Sequence, residues 1–292
     1  LSDEKALTME QGLADTLDSS SAVHSWGAFY TKSTTLYNEE GGSADVSIVG
    51  AEDDARMTEY FTFRTRVGHD PIPFEEDSVI LTEKTALNLE LSVGDTFYVE
   101  AADGSRVPLV LTGITENYMF TRLYLSNAQL QALLGSTPEW NTVYGLTGCA
   151  TEAEYNALRT KLLGCNYVSS VSFTEDTTSM FGSLIGSLNY VVVLIIVCAA
   201  ALAAVVLYNL ISVNLAERKK ELATIKVLGF YDKEVYRYIF REIELLALIG
   251  SGVGLLLGIP LHRFIILTVE MDQLMFIRTI APRSYLLSVA LN

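Results

Sequence analysis

The stretch that decides the fold is Leu184–Val213, which reads LIGSLNYVVVLIIVCAAALAAVVLYNLISV. It lies within a longer interval, between Asp176 and Glu217, that contains no charged residue. About 20 helical residues cross the roughly 30 Å hydrocarbon core of a bilayer, so this stretch is long enough to span it even when tilted. The competing interpretation is a buried helix of a large soluble protein, but soluble core helices seldom stay free of charge over such a length. The sequence therefore predicts a transmembrane helix at about 184–213.

Two further apolar segments follow this first one. Leu245–Leu261 (LLALIGSGVGLLLGIPL) is slightly short by itself, but Phe264–Val269 extends it past His262 and Arg263. The polar ends of those two side chains can reach the membrane surface if they lie near it. We therefore predict a second span at about 243–268. A third apolar segment begins at Tyr285, and we expect a third span that starts at about 284 and is truncated where the sequence stops.

The second predicted span contains three glycines at four-residue spacing, Gly250, Gly254 and Gly258. Residues at this spacing share one face of a helix, and small side chains let helix backbones approach closely in lipid. We expect this face to pack against another helix. The GSGVG string at 250–254 is not expected to bind a nucleotide, since no strand precedes it and it lies inside a span.

The net charge of −15 is distributed very unevenly. Leu1–Asp176 contain 10 Lys or Arg and 27 Asp or Glu, whereas the rest of the chain contains 10 and 8. The sequence thus combines an acidic, water-soluble part with a near-neutral, hydrophobic part. The acidic part would repel nucleic-acid phosphates, so no nucleic-acid partner is expected. Its charge suits a cationic peptide ligand, and simple solubility explains it equally well.

The connection between the first two predicted spans indicates their orientation. Within about 25 residues it carries seven basic side chains: Arg218, Lys219, Lys220, Lys226, Lys233, Arg237 and Arg241. Basic residues in short loops mark the cytoplasmic side of a membrane. We therefore expect residues 214–241 in the cytoplasm, an extracytoplasmic domain at 1–180, and a transmembrane domain at 181–292.

The acidic part alternates between strand and helix patterns, which predicts an α+β domain. Strands are expected at Ala22–Leu36, Ala44–Gly50, Ser78–Thr82, Leu123–Leu125, Thr142–Thr147 and Val168–Phe173. A hairpin of Asp95–Ala101 and Val107–Ile114 should turn at Asp103-Gly104, a strong hairpin signal. Helices are expected at Asp3–Leu17, Glu83–Leu89, Asn127–Leu134 and Glu152–Leu163.

Cys149 and Cys165 raise the question of a disulfide, because the extracytoplasmic side is oxidising. They bracket a predicted strand–helix–strand unit, whose helix of about a dozen residues would be roughly 18 Å long. A disulfide needs Cα atoms within about 7 Å of each other. We therefore expect these two cysteines to remain unpaired, and Cys198 to act as a small apolar side chain within the first span.

The sequence contains no catalytic motif of the Walker A, HExxH, GxSxG or CxxC type, so an enzyme is not expected. Its three histidines, His24, His69 and His262, are scattered along the chain. Glu52-Asp53-Asp54 and Glu75-Glu76-Asp77 could hold a cation, but their spacing does not resemble a calcium loop. We expect both to be solvated loops, and no metal or cofactor in this chain.

The informative stretch is Asn214–Phe230, NLAERKKELATIKVLGF. Leu222, Ile225 and Leu228 recur at helical spacing among charged residues, and Gly229 is a typical residue for ending a helix. The pattern predicts a short amphipathic helix at the cytoplasmic membrane face. Its mixed charges favour a protein partner over anionic lipid.

This stretch resembles the signature of the FtsX-like permease family, N-x-x-E-R-x-x-E-x-A-x-L/I-K-x-L-G-F. The matching residues are Asn214, Glu217, Arg218, Glu221, Ala223, Ile225, Lys226, Leu228, Gly229 and Phe230, followed by the glycines of the second span. The acidic part is similar to the periplasmic core domain of MacB-type permeases. Its matching pieces are Val49-Gly50, Ser78–Thr82, Leu91–Asp95 and Val110–Ile114.

The resemblance implies a permease subunit of an ABC transporter in a bacterial plasma membrane, beside a second permease half or a second copy. Such permeases have one span, an outer domain and three more spans, so this sequence would be a partial subunit. ATP would be bound by a separate ATPase subunit. The coupling helix that contacts the ATPase would comprise Glu217, Arg218, Glu221, Leu222, Ile225, Lys226, Leu228, Gly229 and Phe230.

Members of this family export peptide- or lipid-type substrates or confer resistance to them, and the resemblance implies such a role here. The alternative, from a different functional class, is a regulatory membrane protein that activates a cell-wall hydrolase or senses an extracellular ligand. A cationic peptide and a cell-wall protein are the corresponding outer partners. The sequence leaves both roles open.

Overall fold

A computed structural model of the chain describes residues 12–101, 104–165, 168–229, 231–269 and 281–291. The chain forms two compact units, the first made mainly of the residues up to Val171 and the second mainly of those from Ser172 onward, and each is described by itself.

In the part that the structure describes, the first unit contains eight strands and five helices. The strands are β1 (Val23–Tyr37), β2 (Ser43–Ala51), β3 (Val79–Thr82), β4 (Thr96–Glu100), β5 (Arg106–Val110), β6 (Gly113–Thr115), β7 (Arg122–Leu125) and β8 (Thr142–Thr147). The helices are α1 (residues 12–18), α2 (Asp54–Tyr60), α3 (Glu83–Asn88), α4 (Asn127–Leu134) and α5 (Glu152–Leu163).

All eight strands belong to one mixed sheet in the order β5-β4-β1-β2-β7-β3-β6, with β8 pairing a second stretch of β1. The pairs β1/β2, β1/β4, β1/β8, β4/β5 and β3/β7 are antiparallel, and β2/β7 and β3/β6 are parallel. The predicted α+β class is confirmed.

Alternating side chains place the core on both faces of this sheet. In β3, Val79 and Leu81 join one hydrophobic cluster while Ile80 joins another. In β2, Val46 and Ile48 pack into the first cluster, and Val49 packs into the second. Successive residues of a strand point to opposite faces, so a strand covered on both faces must be apolar throughout. The second cluster is mostly aromatic.

The prediction of one strand at Val107–Ile114 is wrong, because this stretch is divided between two strands, β5 and β6. Leu111 ends the hairpin, because its N–H donates to the carbonyl of Asp95 at 2.9 Å. The next residue, Thr112, bonds instead to Val79, donating its N–H to the carbonyl at 2.9 Å and accepting the Val79 N–H on its hydroxyl at 2.8 Å. The chain therefore leaves β4, and β6 pairs with β3.

The expected loop at Glu52-Asp53-Asp54 is instead the start of helix α2. Asp53 caps this helix by accepting the N–H of Ala55, as short polar side chains do at helix N-termini. Asp54 is the first helical residue, and its carboxylate accepts the N–H of Asn127 at 2.8 Å. The acidic run thus has a structural role at the junction of α2 and α4.

The predicted strand Val168–Phe173 is also wrong, because residues 168–173 adopt no regular structure. Cys165 therefore follows α5 without leading into a strand, and its thiol lies 3.6 Å from the hydroxyl of Thr16. Cys149 and Cys165 are both free thiols. Of the predicted helix Asp3–Leu17, residues 3–11 lie outside the described part, and residues 12–17 are helical as predicted.

The second unit is helical: α6 (Thr174–Glu217), α7 (Lys219–Val227), α8 (Asp232–Val269) and α9 (Pro282–Leu291). Asn189–Glu217 and Ala247–Ile266 are long and apolar enough to cross a membrane. These segments overlap the spans predicted at about 184–213 and 243–268. Helix α9 begins close to the predicted start of the third segment.

Candidate functional site

The two long helices carry apolar surface that nothing in the described structure covers. Large side chains along the first candidate span, including Leu194, Leu202 and Val213, are exposed, and so are Leu256 and Phe264 of the second. Neither candidate span has any buried share. Soluble proteins rarely expose apolar patches of this extent. Lipid or the helices of a partner are therefore the environment that suits α6 and α8.

The candidate functional site is the segment between these spans, residues 214–241, which we call the coupling segment. Helix α6 ends at Glu217, Arg218 lies in a turn, and α7 starts at Lys219. The break at Arg218 separates a nine-residue helix from the long span. The predicted amphipathic helix is thus shorter than the expected stretch from 217 to 230.

Helix α7 ends through a left-handed glycine, as its sequence predicts. The N–H of Leu228 donates to the carbonyl of Thr224 at 3.1 Å, and Gly229 has a φ of +92°. A residue with a Cβ is strained in that conformation, whereas glycine is not. Gly229 therefore allows the chain to reverse before α8 begins at Asp232.

Next to this turn lies a group of exposed apolar side chains. Val227 is 88% exposed, Leu228 71% and Tyr231 79%. Sequence reasoning identified Leu228 but missed Val227 and Tyr231. Helical spacing alone selects one face of α7, which excludes Val227, and Tyr231 lies beyond the end of that helix. Their exposure gives the coupling segment an apolar surface that suits a protein partner.

The structure distributes the predicted coupling residues over several elements. Glu217 closes α6, Arg218 forms the turn, Glu221 is exposed on α7, and Leu228 and Gly229 follow its end. Leu222, Ile225 and Lys226 belong to α7, but their side chains lie outside the description, as does Phe230 as a whole.

One stretch of family resemblance includes the coupling segment, the second candidate span and most of the first. Residues 193–291 match the model of the FtsX-like permease C-terminal family. The predicted resemblance to FtsX-like permeases is confirmed over this part of the chain, which we call the permease segment. No curated protein matches the chain.

Three solved structures illustrate what the chain is similar to. The extracellular domain of the noncanonic ABC-type transporter YknZ from Gram-positive bacteria is 15% identical, covers 52% of this chain and 79% of its own, and gives a TM-score of 0.36. The periplasmic region of MacB from Actinobacillus actinomycetemcomitans is 14% identical, with coverages of 53% and 72% and a TM-score of 0.33. A domain of a putative permease protein from Porphyromonas gingivalis is 10% identical, with coverages of 53% and 76% and a TM-score of 0.31.

Within the permease segment, the glycines of α8 present an open face. A Cβ added at Gly250, Gly254 or Gly258 would meet nothing within 4 Å. Their packing role stays a prediction, since the described helices place no neighbour against them. Pro260 lies two residues beyond Gly258 inside α8.

The first unit contains a cleft of about 660 Å³ between α2, α4 and the loop before β3. Its acidic side chains are Asp54, Glu75 and Glu76. Burial raises the pKa of Asp54 most strongly, the N–H of Asn127 opposes that rise, and the negative charges of Asp53 and Glu76 add to it. No group of three or more potential metal ligands occurs among the residues that the structure describes.

Proposed function

We propose that the chain is part of a permease subunit of an ABC transporter, driven by a separate ATPase subunit. The observation that carries this proposal is the family match over residues 193–291, which includes the coupling segment and most of both candidate spans. ATP hydrolysis in the partner would move the extracytoplasmic domain through these helices. The proposed task is export of, or resistance to, peptide- or lipid-type substrates.

The proposed orientation follows from the charges between the two spans. Seven Lys or Arg residues lie between the end of the first candidate span and the start of the second. Such a basic excess in a short connection favours the cytoplasm. The coupling segment then faces the ATPase, and the acidic domain at 1–180 lies outside the cell membrane.

The open apolar faces of α6 and α8 support further partners in the membrane. Lipid covers part of them in this proposal, and a second permease half or a second copy packs on the glycine face of α8. Close approach of helix backbones is the main source of affinity between helices in lipid, and Gly250, Gly254 and Gly258 permit it.

The coupling role is tested by placing a charge in the exposed apolar group beside Gly229. The full chain and its Leu228→Asp variant are purified from native membranes, and any ATPase that accompanies them is identified and assayed. We expect the wild type to retain a stoichiometric ATPase and Leu228→Asp to lose it, because an aspartate would have to enter an apolar groove. Leu163→Asp is the matched control, since Leu163 is an exposed leucine of α5 in the first unit.

Two results would contradict the proposal in different ways. An ATPase that stays bound and active in Leu228→Asp would move the coupling surface away from this turn. A wild-type protein that carries no ATPase would favour the regulatory alternative, in which the outer domain activates a cell-wall hydrolase or senses a ligand.

A further inference from the structure

The aromatic cluster on one face of the first unit surrounds a single arginine. Arg122, the first residue of β7, has its guanidinium carbon 5.6 Å from the ring centre of Phe61, 5.8 Å from that of Phe120 and 5.9 Å from that of Tyr144. Each ring comes from a different element, and all three distances lie within the range of a cation–π interaction. The guanidinium therefore lies within cation–π distance of three rings.

Among the residues that the structure describes, Arg122 has no carboxylate as an ion-pair partner. Within the described part of the chain, Arg64 pairs with Glu116 and Arg66 with Glu83, but no Asp or Glu oxygen lies within 4.0 Å of Arg122. This is unexpected in a region with 27 Asp and Glu residues against 10 Lys and Arg. An arginine fork can hold a carboxylate by two parallel hydrogen bonds, so Arg122 has unused binding capacity.

The side chains around Arg122 include one that is buried, Tyr124, and one that is exposed, Phe120. Tyr124 lies two residues further along β7 and is only 4% exposed; burial raises its pKa, and contact with Arg122 opposes that rise. Arg122, Phe61 and Tyr144 are half-buried. Phe120 is 51% exposed and has a φ of +66°, a conformation uncommon for a bulky residue. An apolar rim thus borders a cation that solvent can reach.

These properties define the chemistry of a ligand. The guanidinium requires an anion, and the aromatic rim favours an apolar body attached to it. A carboxylate matches the planar guanidinium, because its two oxygens can accept two parallel N–H donors.

We propose that Arg122, with Phe61, Phe120 and Tyr144, forms a binding site for a carboxylate that carries an apolar group, such as the C-terminal residue of a peptide ending in an apolar side chain. The site is separate from the coupling segment and does not depend on the ATPase. It also differs in charge from the cationic ligand that the net acidity of the domain suggests.

The test uses the full chain in lipid nanodiscs and two probes that differ only in charge. N-acetyl-phenylalanine carries the carboxylate, and N-acetyl-phenylalanine amide lacks it. Calorimetric titration should show the acid binding at least about tenfold more tightly than the amide, and Arg122→Gln should lower the affinity for the acid by about 10- to 100-fold, the range for a lost charged hydrogen bond. Phe120→Ala should lower the affinity for the acid severalfold, because it removes part of the apolar rim.

Arg106→Gln is the matched control for net charge. Arg106 also lies over a ring, 3.8 Å from the centre of Tyr37, but its strand β5 is four strands from β7, or about 19 Å. We expect Arg106→Gln to bind the acid within about twofold of wild type. Tryptophan fluorescence during unfolding verifies that each variant is folded; if Arg122→Gln is not, Arg122→Lys, which keeps the charge but loses the planar fork, replaces it.

The proposal is overturned by equal affinity of the acid and the amide for the wild type. It is equally overturned if Arg106→Gln lowers the affinity for the acid as much as Arg122→Gln does, since the effect would then come from net charge. A folded Arg122 variant that binds the acid normally would show that the arginine only packs against the rings.

Discussion

Replacing Gly50 with alanine should destabilise the first unit, because the sheet and helix α4 leave no room for a methyl group there. Gly50 lies in β2, between Tyr30 of β1 and Leu125 of β7. A Cβ at this position would lie 2.7 Å from Cδ2 of Leu130 and 3.3 Å from the carbonyl oxygen of Leu125. Leu130 is fully buried, so it has little space in which to move.

The size of the effect follows from overpacking. Forcing an extra methyl into a well-packed core lowers the free energy of unfolding by about 1–3 kcal/mol. Removing glycine from a strand returns roughly 0.5–1 kcal/mol of backbone entropy, which leaves a net loss of about 0.5–2 kcal/mol. Leu130→Ala alone should lower it by about 2–5 kcal/mol through the cavity it creates. In the double variant the new methyl group enters that cavity. The free energy of unfolding lost by the double variant should therefore be smaller, by about 1 kcal/mol or more, than the sum of the losses in the two single variants.

The positions of the tryptophans offer a selective assay for these two single variants and their double variant. Its two tryptophans, Trp26 and Trp140, both lie in the first unit, so urea unfolding of the full chain in mild detergent can be followed by their fluorescence without signal from the membrane helices. Gly12→Ala is the control, because a Cβ at Gly12 meets nothing within 4 Å and alanine is the better helix former. It should leave the unfolding free energy unchanged or slightly raised.

Additivity of the two substitutions would refute this argument, since it would mean that Gly50 and Leu130 do not share space. A stabilised Gly50→Ala variant would show that α4 moves away from β2 at little cost, and that packing at this contact is loose.

Further predictions concern acidic residues at two helix starts. The pKa of Asp54 is raised mainly by burial, so its ionised form destabilises the fold above that pKa. Asp54→Asn, which keeps an oxygen for the Asn127 N–H, should be more stable at pH 7, with a difference that disappears below about pH 3.9, the unfolded value. The pKa of Glu154 is lowered by the hydrogen bond from the N–H of Ala150 and, next, by those from Thr151. The ionised carboxylate therefore stabilises the fold at pH values above its unfolded-state pKa, and this stabilisation is lost as the pH falls through its folded-state pKa. In Glu154→Gln, the free energy of unfolding should therefore change less with pH at acidic pH than it does in the wild type. Thr151→Ala should lower the free energy of unfolding by about 1 kcal/mol at neutral pH.

Unfolding titrations across pH check both acidic residues. A pH-independent difference between wild type and Asp54→Asn would contradict the burial argument. For Glu154, an unchanged acid limb in the glutamine variant would mean that the capping box does not persist in solution.

Local patterns predicted most elements because the forces that form them are local. Helices α4 and α5 begin and end at the predicted residues, and their caps Ser126, Gly135 and Thr151 bond within a few residues of themselves. The turn at Gly229 was predictable for the same reason. Alternation of apolar residues similarly predicted β1 and β2 to within one residue at each end.

The errors have non-local causes. The break between β5 and β6 depends on Thr112 bonding to Val79, which lies 33 residues away. Val168–Phe173 alternates as a strand does, but alternation cannot supply a pairing partner. Helix α2 buries only Met57, so its hydrophobic pattern is too weak to recognise. The three rings around Arg122 come from three separate parts of the chain, and no spacing rule brings Phe61 and Tyr144 to it.

The length of α6 has a mechanical consequence. From the middle of its apolar segment, near residue 203, the same unbroken helix runs about 29 residues to Thr174, or roughly 44 Å at 1.5 Å per residue. A rod of this kind acts as a lever arm, so a tilt of about 5° about residue 203 would displace its N-terminal end by about 4 Å. A change of one or two ångströms beside Glu217, at the opposite end, is therefore amplified geometrically without any hinge between the two.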